Sequence, residues 1–248
     1  MADSYSQKPP HETKKFSDYL REFLMIFLAV SLGFMADSTR EKFAEHNQEK
    51  TYIKSMIEDL EKDTLNIDYV IKDFIKINYR LDTILALYDT AVSGFSPSWT
   101  LNFIDLALKG YTDFFYTDRT LQQLKNSGGM RLIASRAASN GIIEYDAQIK
   151  QLDKNEIFLS DAYHQIKESS DKIWNYRKMY QAIQSTSWKS QPVPPGNYWI
   201  SHNPESIEYL YNTLGNYKRF TVLYVREITE IKKIGLALME DLKKEYKL

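Results

Sequence analysis

TYIKSMIEDLEKDTLNIDYVIKDFIKINYRLDTIL, residues 51 to 85, decides the fold. Two interleaved series return every seven residues through this stretch and just past it. Ile53, Leu60, Ile67, Phe74, Leu81 and Tyr88 form the first; Met56, Asp63, Val70, Ile77, Ile84 and Ala91 form the second. Alternating three- and four-residue steps put both on one side of an α-helix. Asp63 is the only charge in the stripe. Ile57, Ile71 and Leu85 widen it beyond a two-stranded coiled-coil seam, which predicts packing within a bundle of several helices.

Upstream, no Gly or Pro separates Gly33 from Gly94, so one helix can run back through residues 37 to 50 into FLMIFLAVSLGFMA, Phe23 to Ala36. That run is uncharged, with Ser31 its only hydroxyl. Fourteen residues are short for a membrane span. Extension back to Phe16 gives 21 residues, about 31 Å of helix, enough for a thin bilayer with Arg21 snorkelling near one end. A soluble amphipathic helix would place polar residues every third or fourth position, yet Phe23 to Val30 is apolar all round. Cleavage after Ala36 would place bulky Phe34 where a signal peptidase site wants a small residue. The stretch therefore reads as an uncleaved anchor, in preference to a buried soluble helix or a cleaved signal. Ahead of it, residues 1 to 15 are polar, with Pro9-Pro10 and no periodicity, and read as a disordered tail.

Ala29, Gly33 and Ala36 are small residues at three- and four-residue spacing, the pattern that lets membrane helices approach closely. Self-association through this face is the first expectation. Glu22 and Asp37 bracket the span with Ser31 between them. An oligomer would gather these acids at its two mouths, so a homo-oligomeric ion-conducting assembly is the alternative. A second alternative is a soluble helical protein with residues 23 to 36 buried in its core.

Downstream, Ser93 to Ser98 is turn chemistry built on Gly94 and Pro97, and Trp99 to Lys109 reads as a short helix. Gly110 to Asp118 is an aromatic-rich connection whose Phe114, Phe115 and Tyr116 read as a plug at one end of a bundle rather than a pocket. Asp118 is expected to cap the helix that follows. Asn126-Ser127-Gly128-Gly129 interrupts that helix, and a glycine cap between two angled short helices is favoured over an anion site using Arg131 and Arg136.

Residues 20 to 41 (LREFLMIFLAVSLGFMADSTRE), 51 to 63 (TYIKSMIEDLEKD) and 120 to 133 (TLQQLKNSGGMRLI) together resemble membrane-anchored proteins of Bacteroidetes-type bacteria. In such proteins a short tail and an apolar anchor precede an α-helical domain. The resemblance implies single-pass attachment to a bacterial inner membrane, with the large domain in the periplasm. It carries no activity with it. Four basic residues precede the span (Lys8, Lys14, Lys15, Arg21) and four follow it (Arg40, Lys42, Lys50, Lys54), so charge bias does not set the orientation.

Beyond Asn140-Gly141, read as a kink or brief loop, a second long helix is expected from Ile142 to about Gln184. Its seam holds polar entries at Glu156, Ser170 and Arg177, read as wet edges of a bundle. Ser185 to Asn203 is the longest non-helical connection, and Trp188, Tyr198 and Trp199 on it are candidate contact residues for a partner or for the bundle end. Asn203-Pro204-Glu205 opens the last helix with a cap, a first-position proline and an acid. Its seam runs Ile207, Leu210, Leu214, Tyr217, Thr221, Tyr224, Ile228, Ile231, Gly235, Leu238 and Leu242.

Composition narrows function further. With 32 basic and 33 acidic residues the formal charge is −1, without the basic excess of a nucleic-acid binder. The absence of cysteine excludes disulfides, thiolate metal sites and cysteine nucleophiles. The four histidines lie on different elements, and only Asp161-x-x-His164 has helical ligand spacing, without the second copy a di-iron bundle needs. Nucleotide-binding, serine-hydrolase and zinc-protease motifs are also absent from the sequence. The expectation is an all-α protein without cofactor or metal: a tail (1–15), a membrane helix (16–40) and an elongated antiparallel bundle of three or four long helices (41–248). Its expected role is that of a non-enzymatic, membrane-anchored interaction or sensory module.

Overall fold

The computed structural model describes residues 15–93, 112–182 and 196–248. These form α1 (Phe16–Leu85), α2 (Tyr88–Ser93), α3 (Arg119–Asn126), a 3₁₀ turn (Gly129–Leu132), α4 (Arg136–Asp171), α5 (Tyr176–Ala182) and α6 (Pro204–Tyr246). Among the described residues the protein is all-α, and the single extended pairing is a bridge between Trp174 and Trp199. Residues 1–14 of the predicted tail (1–15), the turn at 94–98, the helix at 99–109, and residues 185–195 of the predicted connection, Trp188 among them, lie outside the described residues.

The chain divides into two units, Met1–Thr51 and Tyr52–Leu248. α1 contributes residues to both. The division falls past the expected boundary at residue 40, because residues 41 to 51 supply no seam positions and Phe43 is 68% exposed.

In the first unit α1 begins where the apolar pattern begins, at Phe16. Asp18 in its first turn accepts a hydrogen bond from the Lys15 N–H at 3.2 Å, satisfying a backbone donor that the helix leaves open. Among the described residues α1 is the one helix long and apolar enough to cross a membrane. None of its most apolar window is buried by the rest of the chain, and exposures run from 46% at Leu24 to 73% at Phe34. A run apolar on all sides has no polar face to leave in water.

The second unit has a closed core, and the seven-residue reading of α1 carries over. Ile53, Met56, Leu60, Ile67, Val70, Phe74, Ile77, Leu81 and Ile84 are all at most 3% exposed. Each such side chain withdrawn from water contributes on the order of 1.5–3 kcal/mol before entropy is counted. The α6 seam is buried from Ile207 to Leu242, as its spacing predicts. Asn203 caps α6 by accepting from the Glu205 N–H at 2.9 Å, with Pro204 in the first turn.

Direction follows from the ties between helices. Asp68 pairs with Lys232, Asn78 with Thr221, and Asp82 with Lys218, so α6 runs antiparallel to α1. Asn155 pairs with Glu227, and Ser169 with Thr213, so α6 also runs antiparallel to α4. α1 and α4 consequently run in the same sense, with α6 antiparallel to both.

Three expected boundaries move. α1 stops at Leu85 and α2 restarts after a turn at Ala86-Leu87, where the unbroken pattern suggested a helix to Gly94. α4 begins at Arg136, capped by the Ser135 hydroxyl, and passes straight through Asn140-Gly141. The glycine serves packing rather than a kink: a Cβ at Gly141 would meet Leu238 Cδ1 at 2.7 Å, so it allows close approach to α6. α4 ends at Asp171 instead of continuing towards Gln184. There Ile200 N–H donates to Ile173 O and Asn175 N–H to Tyr198 O, diverting the chain into an extended pairing. Ser169 and Ser170 also bond back to carbonyls three and four residues earlier, which weakens the last turn.

Candidate functional site

The predicted association face lies on the exposed part of α1. Ala29, Gly33 and Ala36 are all exposed, and a Cβ built at Gly33 would meet nothing within 4 Å. Glu22 is exposed, Ser31 is half-buried, and Asp37 forms an ion pair with Arg40 at 3.4 Å on open helix surface. Phe23 and Phe27 stack with centroids 6.1 Å apart, one turn apart on the same side.

Tyr198 and Trp199 belong to the junction that closes the bundle. Tyr198 is 6% exposed, and Trp199 packs on buried Trp174 at 4.1 Å between centroids and on His202 at 4.8 Å. These aromatics cover the break between α4 and α5.

Unforeseen in the sequence is a ladder of polar side chains on α1 that holds residues 112 to 120 as a strap. Asp73 accepts from the Thr112 hydroxyl, and Asn66 donates to Phe115 O at 2.7 Å. Asp63 accepts from the Thr117 N–H at 2.8 Å and from Tyr145 OH at 3.0 Å. Asp59 accepts from the Thr120 N–H at 3.1 Å, the Thr120 hydroxyl at 2.5 Å and Arg119 at 3.1 Å. As the strap numbers rise the α1 numbers fall, so the strap retraces α1 and returns the chain to the level where α4 starts. This return makes α1 and α4 parallel.

The ladder also corrects the capping expectation. Asp118 occupies the cap position of α3, but its side chain makes no cap hydrogen bond and accepts from Gln122 instead. Asp59, reaching across from α1, satisfies the Thr120 N–H in the first turn. Gly128 does adopt the left-handed conformation at φ 70, as the glycine-cap reading requires, and Arg131 folds back to donate to its carbonyl.

Burial is deep along this ladder. Asp59 and Asp63 are each 1% exposed. Desolvation pushes the Asp63 carboxyl above its usual range, against the lowering pull of hydrogen bonds from Thr117 and Tyr145. Next to it, Asp146 accepts from Lys125 at 2.5 Å, from Lys150 at 2.8 Å and from Tyr116 OH at 3.4 Å. Burial acts to raise its pKa, but the two ammonium groups more than offset this and hold the carboxyl low. Tyr224 OH donates to Glu156, so this seam acid is held by a buried tyrosine rather than left at a wet edge; burial raises its pKa. Ser170 is 1% exposed and accepts from Tyr176 OH, while Arg177 lies exposed beyond the end of α4.

Phe114 is buried and Phe115 is 75% exposed. The strap thus inserts one aromatic and leaves its neighbour outside. Among the described residues no group of three His, Asp or Glu side chains is placed to hold a metal ion. The buried carboxylates accept from backbone N–H groups, hydroxyls, ammonium groups and a guanidinium of their own unit, an arrangement suited to fixing elements against one another. Comparison with family models, with curated proteins and with solved structures finds no match to this chain.

Proposed function

We propose that the protein is a single-pass, membrane-anchored, non-enzymatic helical module that self-associates through α1 and serves interaction, sensing or assembly. One observation carries the reading: the chain leaves the apolar stretch of α1 uncovered while residues 52–248 close a core of their own. Apolar surface of that extent is stable only against lipid or another chain. The face of Ala29, Gly33 and Ala36 suits the contact between copies because small residues let helix backbones approach. A bacterial inner membrane, with the bundle in the periplasm, is the setting this reading takes from the resemblance of the anchor segment.

Two measurements test it. The protein should pellet with membranes after alkaline carbonate extraction, and cross-linking in membranes should trap oligomers that Gly33→Leu reduces at least fivefold. Recovery in the soluble fraction refutes the anchor, and an unchanged oligomer in the Gly33→Leu variant refutes the contact face. Ion flux in liposomes that is lost in Glu22→Ala or Asp37→Ala would instead establish the pore reading.

A further inference from the structure

The second unit carries two surfaces of opposite character that its described residues leave exposed. The first is a groove of about 670 Å³ between the start of α4 and the end of α6. Ala138, Gly141 and Leu238 lie along its floor, and Glu144, Asp241 and Glu245 stand on its rim, with Lys244 the only base among the described residues that line it. No ion pair ties any of those three acids among the described residues. The small floor residues that bring the helices close also keep the groove open.

The second surface is a ridge on α1, facing away from the buried seam. Leu65, Tyr69, Lys72, Lys76 and Tyr79 follow one another at four- and three-residue steps, and all five are exposed. Leu65 is 71% exposed, Tyr69 64% and Tyr79 74%, unusual for large apolar groups in a row. Neighbouring acids Glu61 and Asp68 are already paired with Lys243 and Lys232, so the free charge on the ridge is basic. Ile157 and Phe158 on α4 are also exposed, but they sit beside Asp153, Glu156 and Asp161, which match the groove in sign. From Leu65 to Lys76, the part that docks, the ridge covers about 16 Å of helix, and the α6 wall of the groove from Ile234 to Glu245 also covers about 16 Å, using the α-helical rise.

We propose that the ridge of one copy docks into the acid-rimmed groove of another, with Leu65 and Tyr69 on the apolar floor and Lys72 and Lys76 against the rim carboxylates. The occupant is a second copy of this chain because this chain presents the surface whose charge, apolar spacing and length complement the groove. The contact is head to tail, one surface on each copy, so it closes into a ring or extends a row. It rests on the reading of the protein as self-associating and adds a second point of contact to that of the anchor.

The chain has no cysteine, so introduced pairs report cleanly. Leu65→Cys and Tyr69→Cys, each combined with Ala237→Cys in the full-length protein, are oxidised in native membranes. The expected result is disulfide-linked dimers and higher species in the double variants and at least fivefold less in each single variant. Lys72→Glu with Lys76→Glu should suppress the cross-link, and adding Glu144→Lys with Asp241→Lys should restore it. No cross-link in the double variants, or an equal one in Leu65→Cys alone, overturns the inference. Gly33→Cys, run in parallel, reports the anchor contact. Cross-linking there without a ridge-to-groove product refutes this contact and leaves the anchor reading standing, whereas absence of both refutes both.

Discussion

Asp63 breaks a run of apolar residues in the sequence and looks like a flaw; in the fold it receives the Thr117 N–H and the Tyr145 hydroxyl. A periodic pattern marks which residues are inside, but not which inward-facing acid will meet a donor from a segment 54 residues later. Two predictions belong at this scale. Asp59→Ala orphans the Thr120 N–H in a buried place and should cost about 3 kcal/mol, a melting midpoint lower by on the order of 10 °C. Asp63→Asn should act through pH. The native carboxyl has its proton affinity raised above the ordinary 3.8, so between that value and the raised one the folded state binds more protons than the unfolded state. Native stability therefore falls as pH rises through this interval, and the asparagine variant lacks the fall. Denaturant titrations at about pH 3.5 and 7 should show the variant gaining on the native protein at the higher pH. Asp146→Asn should do the reverse, since that carboxyl is held low: its loss costs stability near neutrality, and the difference disappears as pH falls below the lowered value.

At the scale of elements, the sequence was most legible where one interaction dominated. Asn203-Pro204-Glu205 marks a helix start because cap, proline and acid each satisfy the same local requirement, and α6 begins there. The end of α4 was illegible because it is imposed from residues 196 to 200, with no Gly or Pro nearby to announce it. Glycines divide in the same way. Gly215 lies within α6 with nothing within 4 Å of the place a methyl group would take, so Gly215→Ala should stabilise the helix by about 0.5–1 kcal/mol and raise the melting midpoint by about 1–4 °C. Gly235 also lies within α6, but a Cβ there would stand 3.1 Å from Tyr145 Cε2, on a ring anchored through its hydroxyl to Asp63. Gly235→Ala should lower the midpoint. Calorimetry on the two variants checks the pair, and equal shifts would contradict the close-packing role of Gly235.

At the scale of the molecule, fold class and the candidate span could both be read in advance, because both depend on hydrophobic periodicity and run length alone. The parallel course of α1 and α4 could not. It depends on the strap, whose side-chain ladder mixes Asp with Asn at spacings that resemble any solvated helix face. The two contact units give a direct expectation: a chain starting at Tyr52 should stay in solution without detergent and melt in one cooperative helical transition. Aggregation of that fragment would show that residues before Tyr52 are needed to complete its core.

α6 lies against both α1 and α4 and is synthesised after each of them. While a chain is being made, the seams of the two earlier helices therefore emerge from the ribosome with their shared partner still unmade. If the start of α1 enters the bilayer at that stage, two greasy stripes must be kept from wrong partners until residues 204 to 246 arrive. A premature stop within α6 would leave that surface permanently uncovered and mark the product for holding chaperones and proteolysis.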